Sequence, residues 1–253
     1  MMKKKPILLL LAASVVFLLF LSACSSNKGG DTNGSSSEVQ KTKEGIYEHL
    51  KNAKNEIWYV TKEVSKTSYP SYIYIFNKGE VKGYNLFDAN IEGKSLGDLA
   101  QMSDKEIIDY YESQEGAALK GLSEQADSFY ASINQNEVSK ATSEAYKKYA
   151  DGNGELPAVK YTVKLVTDES GTGVESENID INLLGVGQHA SRVGEFPHYT
   201  AVLKHVTSTT KIFDSTYNGF ETEDAAKPLF VTRSKKQFDL DTTKTNAKGL
   251  EIE

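Results

Sequence analysis

Ser95 sits in Gly93-Lys94-Ser95-Leu96-Gly97, the G-x-S-x-G spacing that in an α/β-hydrolase turns a nucleophile outward at a strand-to-helix bend. Acidic residues and then His189, His198 and His205 follow in the order such an enzyme uses. The elbow needs a buried apolar strand directly before it, whereas Asp88-Ala89-Asn90-Ile91-Glu92 is polar. The regular alternation of strands and helices behind a parallel sheet is missing too. The segment therefore reads as a loop entering a helix, and a cell-envelope serine hydrolase using Ser95 is the alternative. Gly185-Val186-Gly187-Gln188-His189-Ala190 fits the dinucleotide fingerprint. Gly194 and Pro197 leave no room for the helix whose amino terminus would meet the pyrophosphate, so this reads as a tight turn. His198 and His205, seven apart on one strand, point to opposite faces and can share a metal only across a bulge. Asp239, Asp241 and Thr243 lack the glycine and full spacing of a calcium loop and read as a solvated edge. These patterns predict no catalytic residue, no metal ligand and no cofactor.

Cys24 is different. It is the single cysteine of the chain, so a disulfide within one molecule is excluded. Before it stand a charged start (Lys3, Lys4, Lys5) and an apolar run from Ile7 to Leu21 broken only by Ser14. Such a run suits a secretory signal and falls short of the roughly 20 residues of a spanning helix. The run ends in Leu21-Ser22-Ala23-Cys24. Small residues fit a narrow protease site and the thiol is the strong nucleophile beside it, so the four residues look like a bacterial lipobox. Residues 1–23 are then a lipoprotein signal peptide, and Cys24 carries a diacylglyceryl group after cleavage. Anchoring that holds on a bilayer takes more than one acyl chain. Val16 to Ala23 also resembles the apolar peptide pheromones that some lipoprotein signals release.

Charge narrows the partners. The whole chain carries 29 basic and 35 acidic residues. Without the first 23 residues, 26 basic groups face 35 acidic ones, a net charge of −9. That sign opposes phosphate backbones, and Arg192 and Arg233 are the only arginines, so nucleic acid is excluded as a partner. Ser25 to Ser37 holds no apolar residue, and eight of its thirteen residues are Gly or Ser. It reads as a flexible tether (residues 24–37 with the lipidated Cys) reaching about 20 Å as a random coil. The Gly/Ser/Asn tether and the bias of Lys over Arg fit a Gram-positive envelope.

Residues 38–253 are expected to form a single extracytoplasmic domain. A short helix or lead-in is expected over Val39–Asn52 and a strand over Glu56–Val64. Ser71–Phe76 and Glu80–Phe87 flank Asn77-Lys78-Gly79 as a hairpin. Tyr72, Tyr74 and Phe76 share one face, Ile73 and Ile75 the other, so both faces should be covered. The period then changes. Ser103-Asp104-Lys105-Glu106 is a capping box, and Leu119, Leu122, Ala126, Phe129, Tyr130 and Ile133 recur at helical spacing. A third helix is expected over Val138–Tyr149. Strands return at Val159–Leu165, Ile179–Leu183, His198–Val206, Lys211–Tyr217, Leu229–Arg233 and Gln237–Leu240. The sum is an α+β fold, mainly an antiparallel β-sheet with a helical insertion near residues 95–151. Trp58, Ile75, Leu122, Phe129, Val163, Leu165 and Ile181 are its expected core, and the 14 Tyr and 10 Phe should fill that core and its rim.

Several runs resemble small uncharacterised lipoproteins of low-GC Gram-positive bacteria. They are Ile212-Phe213-Asp214-Ser215-Thr216-Tyr217-Asn218-Gly219-Phe220, Phe230-Val231-Thr232-Arg233, Phe238-Asp239-Leu240-Asp241, Phe76-Asn77-Lys78-Gly79-Glu80-Val81 and Gly97-Asp98-Leu99. The resemblance implies a lipid-anchored protein on the extracytoplasmic face of the cell membrane and supplies no catalytic residue. The expected function is that of a non-enzymatic binding or interaction module. Its partner would be an envelope protein, peptide or glycan.

Overall fold

Runs of β-branched and aromatic residues pair in the order in which the chain presents them. The computed structural model describes residues 44–253 except 88–89, 133–143, 145–146, 149–150, 152–153, 184–197, 224–226 and 246–249. The expected signal peptide, lipobox and tether lie outside the described residues, as does most of the third expected helix, of which Glu144, Lys147 and Lys148 are described and helical. A two-residue strand, β1 (Glu44–Gly45), leads into α1 (Ile46–Asn52) and β2 (Glu56–Thr61). Then come β3 (Tyr72–Asn77), β4 (Glu80–Asn85), the helices α2 (Leu96–Leu99), α3 (Asp104–Glu112) and α4 (Glu115–Ser132), and β5 (Val159–Thr167). The chain continues through β6 (Val174–Asn182), β7 (His198–Ile212), β8 (Ser215–Thr222), β9 (Leu229–Arg233), β10 (Phe238–Asp239) and β11 (Leu250–Ile252). The α+β expectation and its helical insertion hold: the helices stand between antiparallel strands.

Among the described residues, β2 to β9 each pair antiparallel with the next, and β9 pairs antiparallel with β2. The sheet is therefore a closed eight-stranded barrel. Its weakest seam is β4–β5, joined only at Glu80–Lys160 and Val81–Val159. Below that seam β11 adds in parallel to β5, Leu250 opposite Val163 and Ile252 opposite Leu165. Closure leaves no free sheet edge around most of the ring, which limits strand addition by other chains.

Local chemistry sets the corners. Lys78 and Gly79 both take positive φ, 53° and 79°, the conformation a two-residue hairpin turn needs to match strand twist. Asp168 and Gly173 close the β5–β6 turn, whose Asp168 carboxylate accepts from the Ser170 hydroxyl at 2.6 Å. The expected strand over Lys211–Tyr217 is instead a hairpin corner. Phe213 takes φ 52°, and Ile212 pairs with Ser215. Apolar flanks on both sides of Phe213-Asp214 concealed this turn, which lacks Gly and Pro. Ser95 and Ser103 cap α2 and α3, each paired with an acid three residues on.

The barrel has two cores, one on each side of its wall. Inside, Trp58, Tyr74, Phe76, Val163, Ile181, Leu203, Phe220 and Phe230 fill the lumen. Trp58 stacks on Phe230 with centroids 4.6 Å apart. An eight-stranded ring is just wide enough to be filled this way. Outside, Ile57, Tyr59, Ile73, Ile75 and Tyr84 pack under Leu96, Leu99, Ile107, Tyr111 and Leu119 of the helices. The two-faced burial read from Tyr72–Phe76 is thus lumen on one side and helices on the other. Of the expected core, Trp58, Ile75, Leu122, Val163, Leu165 and Ile181 are buried; the Phe129 side chain lies outside the described residues. Ile46, Tyr47 and Leu50 of α1, with Phe238 and Leu240, join the inner core and plug the end of the barrel where β2 begins. No helix among the described residues is long and apolar enough to cross a membrane.

Candidate functional site

The outward side chains of the β3–β4 hairpin and the facing side of α3 enclose a half-open groove of about 650 Å³. Alternation along the strands points Ile75, Asn77, Glu80 and Lys82 out of the barrel, and the capping box at Ser103 sets α3 opposite them. Ile75, Ile108 and Ala158 give it apolar wall. Lys54, Asn55 and Asn77 form one lip; Lys105 and Asp109 form the other. Lys105 is held to Asp109 at 2.6 Å on the exposed face of α3.

A buried acid fixes the groove from below. Glu115, 1% exposed, accepts from Tyr84 Oη at 2.6 Å and Lys82 Nζ at 3.0 Å, and its second oxygen accepts from the Leu156 amide at 2.7 Å. Burial, then the Glu115 hydrogen bond, push the Tyr84 phenol far above its ordinary value. Arg233 of β9 donates to the carbonyls of Leu99 and Met102, at 3.2 and 2.7 Å, and pairs with Asp104. It staples the start of α3, and so one wall of the groove, to the barrel. The site thus offers amide, ammonium and carboxylate groups of both signs around an apolar strip. That set can hold a polar chain such as a peptide.

The sequence-predicted residues fall elsewhere. Ser95 caps α2: its hydroxyl donates to Asp98 Oδ2 at 2.6 Å and accepts from the Asp98 amide at 3.1 Å. The segment is the loop-to-helix entry expected, and the hydroxyl proton is already used. Ser95→Ala should lower stability by about 1 kcal/mol through the lost cap, measured by urea denaturation. A fluorophosphonate probe should leave the folded chain unlabelled; labelling that vanishes in Ser95→Ala would reinstate the hydrolase. The glycine-rich Gly185–Ala190 turn and the side chains of His189, His198 and His205 lie outside the described residues. The backbone of β7 does carry a register shift between Leu203 and Thr207. Asp241 corrects the solvated-edge reading. It is 4% exposed, because the chain after β10 folds back over the barrel end rather than running along its surface. Among the described residues no three His, Cys, Asp or Glu side chains converge as metal ligands.

Two clusters have no sequence signal. His49 of α1 lies between Glu56, 2.7 Å from Nε2, and Glu44, 3.2 Å from Nδ1. Glu44 also takes Lys236 at 2.8 Å, and Glu56 takes the Trp58 indole N–H at 3.1 Å. Burial alone would lower the His49 imidazole, but the Glu56 and Glu44 carboxylates raise it above its ordinary value. The second cluster is Glu177 with Asp241, joined across 64 residues. Both clusters tie the plug to the barrel.

The architecture defines a class: a closed antiparallel barrel with an outer helical layer and an end plug. Compared with protein-family models, characterised proteins and solved structures, the chain matches none.

Proposed function

We propose that this chain is a lipoprotein anchored through Cys24 at the outer face of the cytoplasmic membrane, and that its barrel is a non-enzymatic module binding an envelope protein, peptide or glycan. The anchor rests on Lys3–Lys5, the apolar run and Leu21-Ser22-Ala23-Cys24, and on the resemblance to small lipoproteins of low-GC Gram-positive bacteria. The observation that carries the binding role is the groove between the β3–β4 hairpin and α3. Its volume lies in the range of ligand sites, and its polar groups converge on one apolar strip. A peptide is the occupant its two-signed rim suits best. The hydrolase alternative draws no support from Ser95, whose hydroxyl is committed to Asp98.

Two measurements test this. Cys24→Ala should abolish lipid labelling and release the domain from membranes; a variant that stays bound through its amino terminus sinks the anchor. For the binding role, a diazirine amino acid is placed at Asn77 on the groove lip, or at exposed Glu175 on β6 as control. In the native envelope the Asn77 probe should give a discrete adduct and the Glu175 probe none. Equal labelling from both positions would remove the groove as the site.

A further inference from the structure

The plug is seated on a buried acid pair. Glu177 lies on the lumen side of β6, opposite Leu165 and Leu203, and is fully buried. Its Oε2 accepts from the Asp241 amide at 2.9 Å, and Asp241 Oδ2 accepts from the Tyr47 amide at 2.6 Å. The pair thus links the barrel wall, the segment after β10 and the first turn of α1. Gly45 has no side chain to hold Asp241 away; a Cβ there would collide with its carboxylate. Among the described residues Glu177 Oε1 has no hydrogen-bond partner. A charge on that oxygen would stand unsolvated among apolar side chains, so the neutral acid is the form the site tolerates.

We propose that a proton shared by Glu177 and Asp241 is the latch that seats α1 and residues 238–241 in the barrel end, and that giving this proton up to water lets the plug lift and uncovers the aromatic lumen. The groups facing the pair support that sense. Tyr47 and Glu48 face Asp241 from α1, and Thr245 hydrogen-bonds it from the segment beyond; Tyr161 of β5 stands against Tyr47. Among the described residues neither carboxylate has a basic partner acting on it. Burial, and then the Asp241 charge, push the Glu177 carboxyl up from 4.5 to about 9, and burial raises Asp241 as well. A folded value raised this way gives stability that is complete below the unfolded value, near 4.5, and is lost progressively as pH rises towards 9. His49, clamped by Glu44 and Glu56, acts in the same sense from 6.5 upward.

The test is amide hydrogen exchange of the full chain, corrected for the intrinsic pH dependence of exchange. Between about pH 5 and 5.5 the His49 imidazole is largely protonated with the plug seated or lifted, so the Glu177 proton dominates the response. The opening constant for the Tyr47 and Asp241 amides should rise about tenfold per pH unit, while amides of β2 and β3 hold. In Glu177→Gln, which is permanently neutral, the slope should fall to the part that Asp241 alone contributes. Acrylamide quenching of Trp58, the single tryptophan, reports the same opening, since it lies beneath Phe238 with centroids 5.3 Å apart. Infrared spectra of the unmodified chain at pH 7 should show a protonated carboxyl band, which keeps the test decisive if the variant fails to fold. Absence of that band, an equal slope in Glu177→Gln, or protection that follows added calcium instead of pH would overturn the latch.

Discussion

Glu115→Ala should lower the stability of the domain by about 3–5 kcal/mol, the cost of removing one partner of a buried ion pair. Three groups lose their acceptor together: the Tyr84 hydroxyl, the Lys82 ammonium and the Leu156 amide. Lys82 is 18% exposed and keeps Glu112 at 3.6 Å, so water and that carboxylate recover part of its charge, but Tyr84 is fully buried and cannot turn to solvent. Glu115→Gln should cost much less, because its amide oxygen still accepts from one of them. Urea denaturation followed by circular dichroism measures both. A loss below about 1 kcal/mol for the alanine variant would mean that water already satisfies these groups. The groove should suffer too. Glu115 begins α4, directly after α3, and ties it to β4, so the α3 wall should loosen against the hairpin.

Trp58→Ala should cost a similar 3–5 kcal/mol, the range for deleting a large buried aromatic. The indole is fully buried and packs against Phe230 at 4.6 Å and Phe238 at 5.3 Å. Its N–H also donates to Glu56, the carboxylate that holds His49. The variant therefore opens a cavity at the seat of the plug and loosens one hydrogen bond of the clamp. Trp58→Phe should recover more than half of the loss by refilling the ring volume. Because Trp58 is the only tryptophan, the comparison must be read by circular dichroism or calorimetry instead of fluorescence. Equal stabilities for the two variants would mean that the N–H bond to Glu56, not the packing, dominates.

Features decided within a few residues were legible in the chain's local patterns. Gly79 beside Lys78 dictates a turn with two positive φ angles, and the β3–β4 hairpin follows. Ser103 three residues before Glu106 satisfies the first amides of a helix, and α3 starts there. The alternation in Tyr72–Phe76 told that both faces would be covered, and they are. Ser95 read as a loop entering a helix because no apolar strand precedes it, and it is a cap. The corner at Phe213 was not legible, since its flanks are good strand formers and only cross-strand pairing of Ile212 with Ser215 fixes the bend.

Tertiary structure alone decided the rest. Whether eight strands stay open or close depends on β9 meeting β2, Thr232 against Trp58, a pairing 174 positions apart that no local pattern encodes. The groove needs a hairpin and a helix to face one another across that wall. The plug depends on contacts such as Tyr47 to Asp241, separated by 194 residues, and Glu44 to Lys236, separated by 192. Asp241 looked like a surface acid because charge alone says that a carboxylate prefers water. Burial became tolerable only where the fold supplied the Tyr47 amide and a second acid to share a proton, and that is a property of the assembled barrel end.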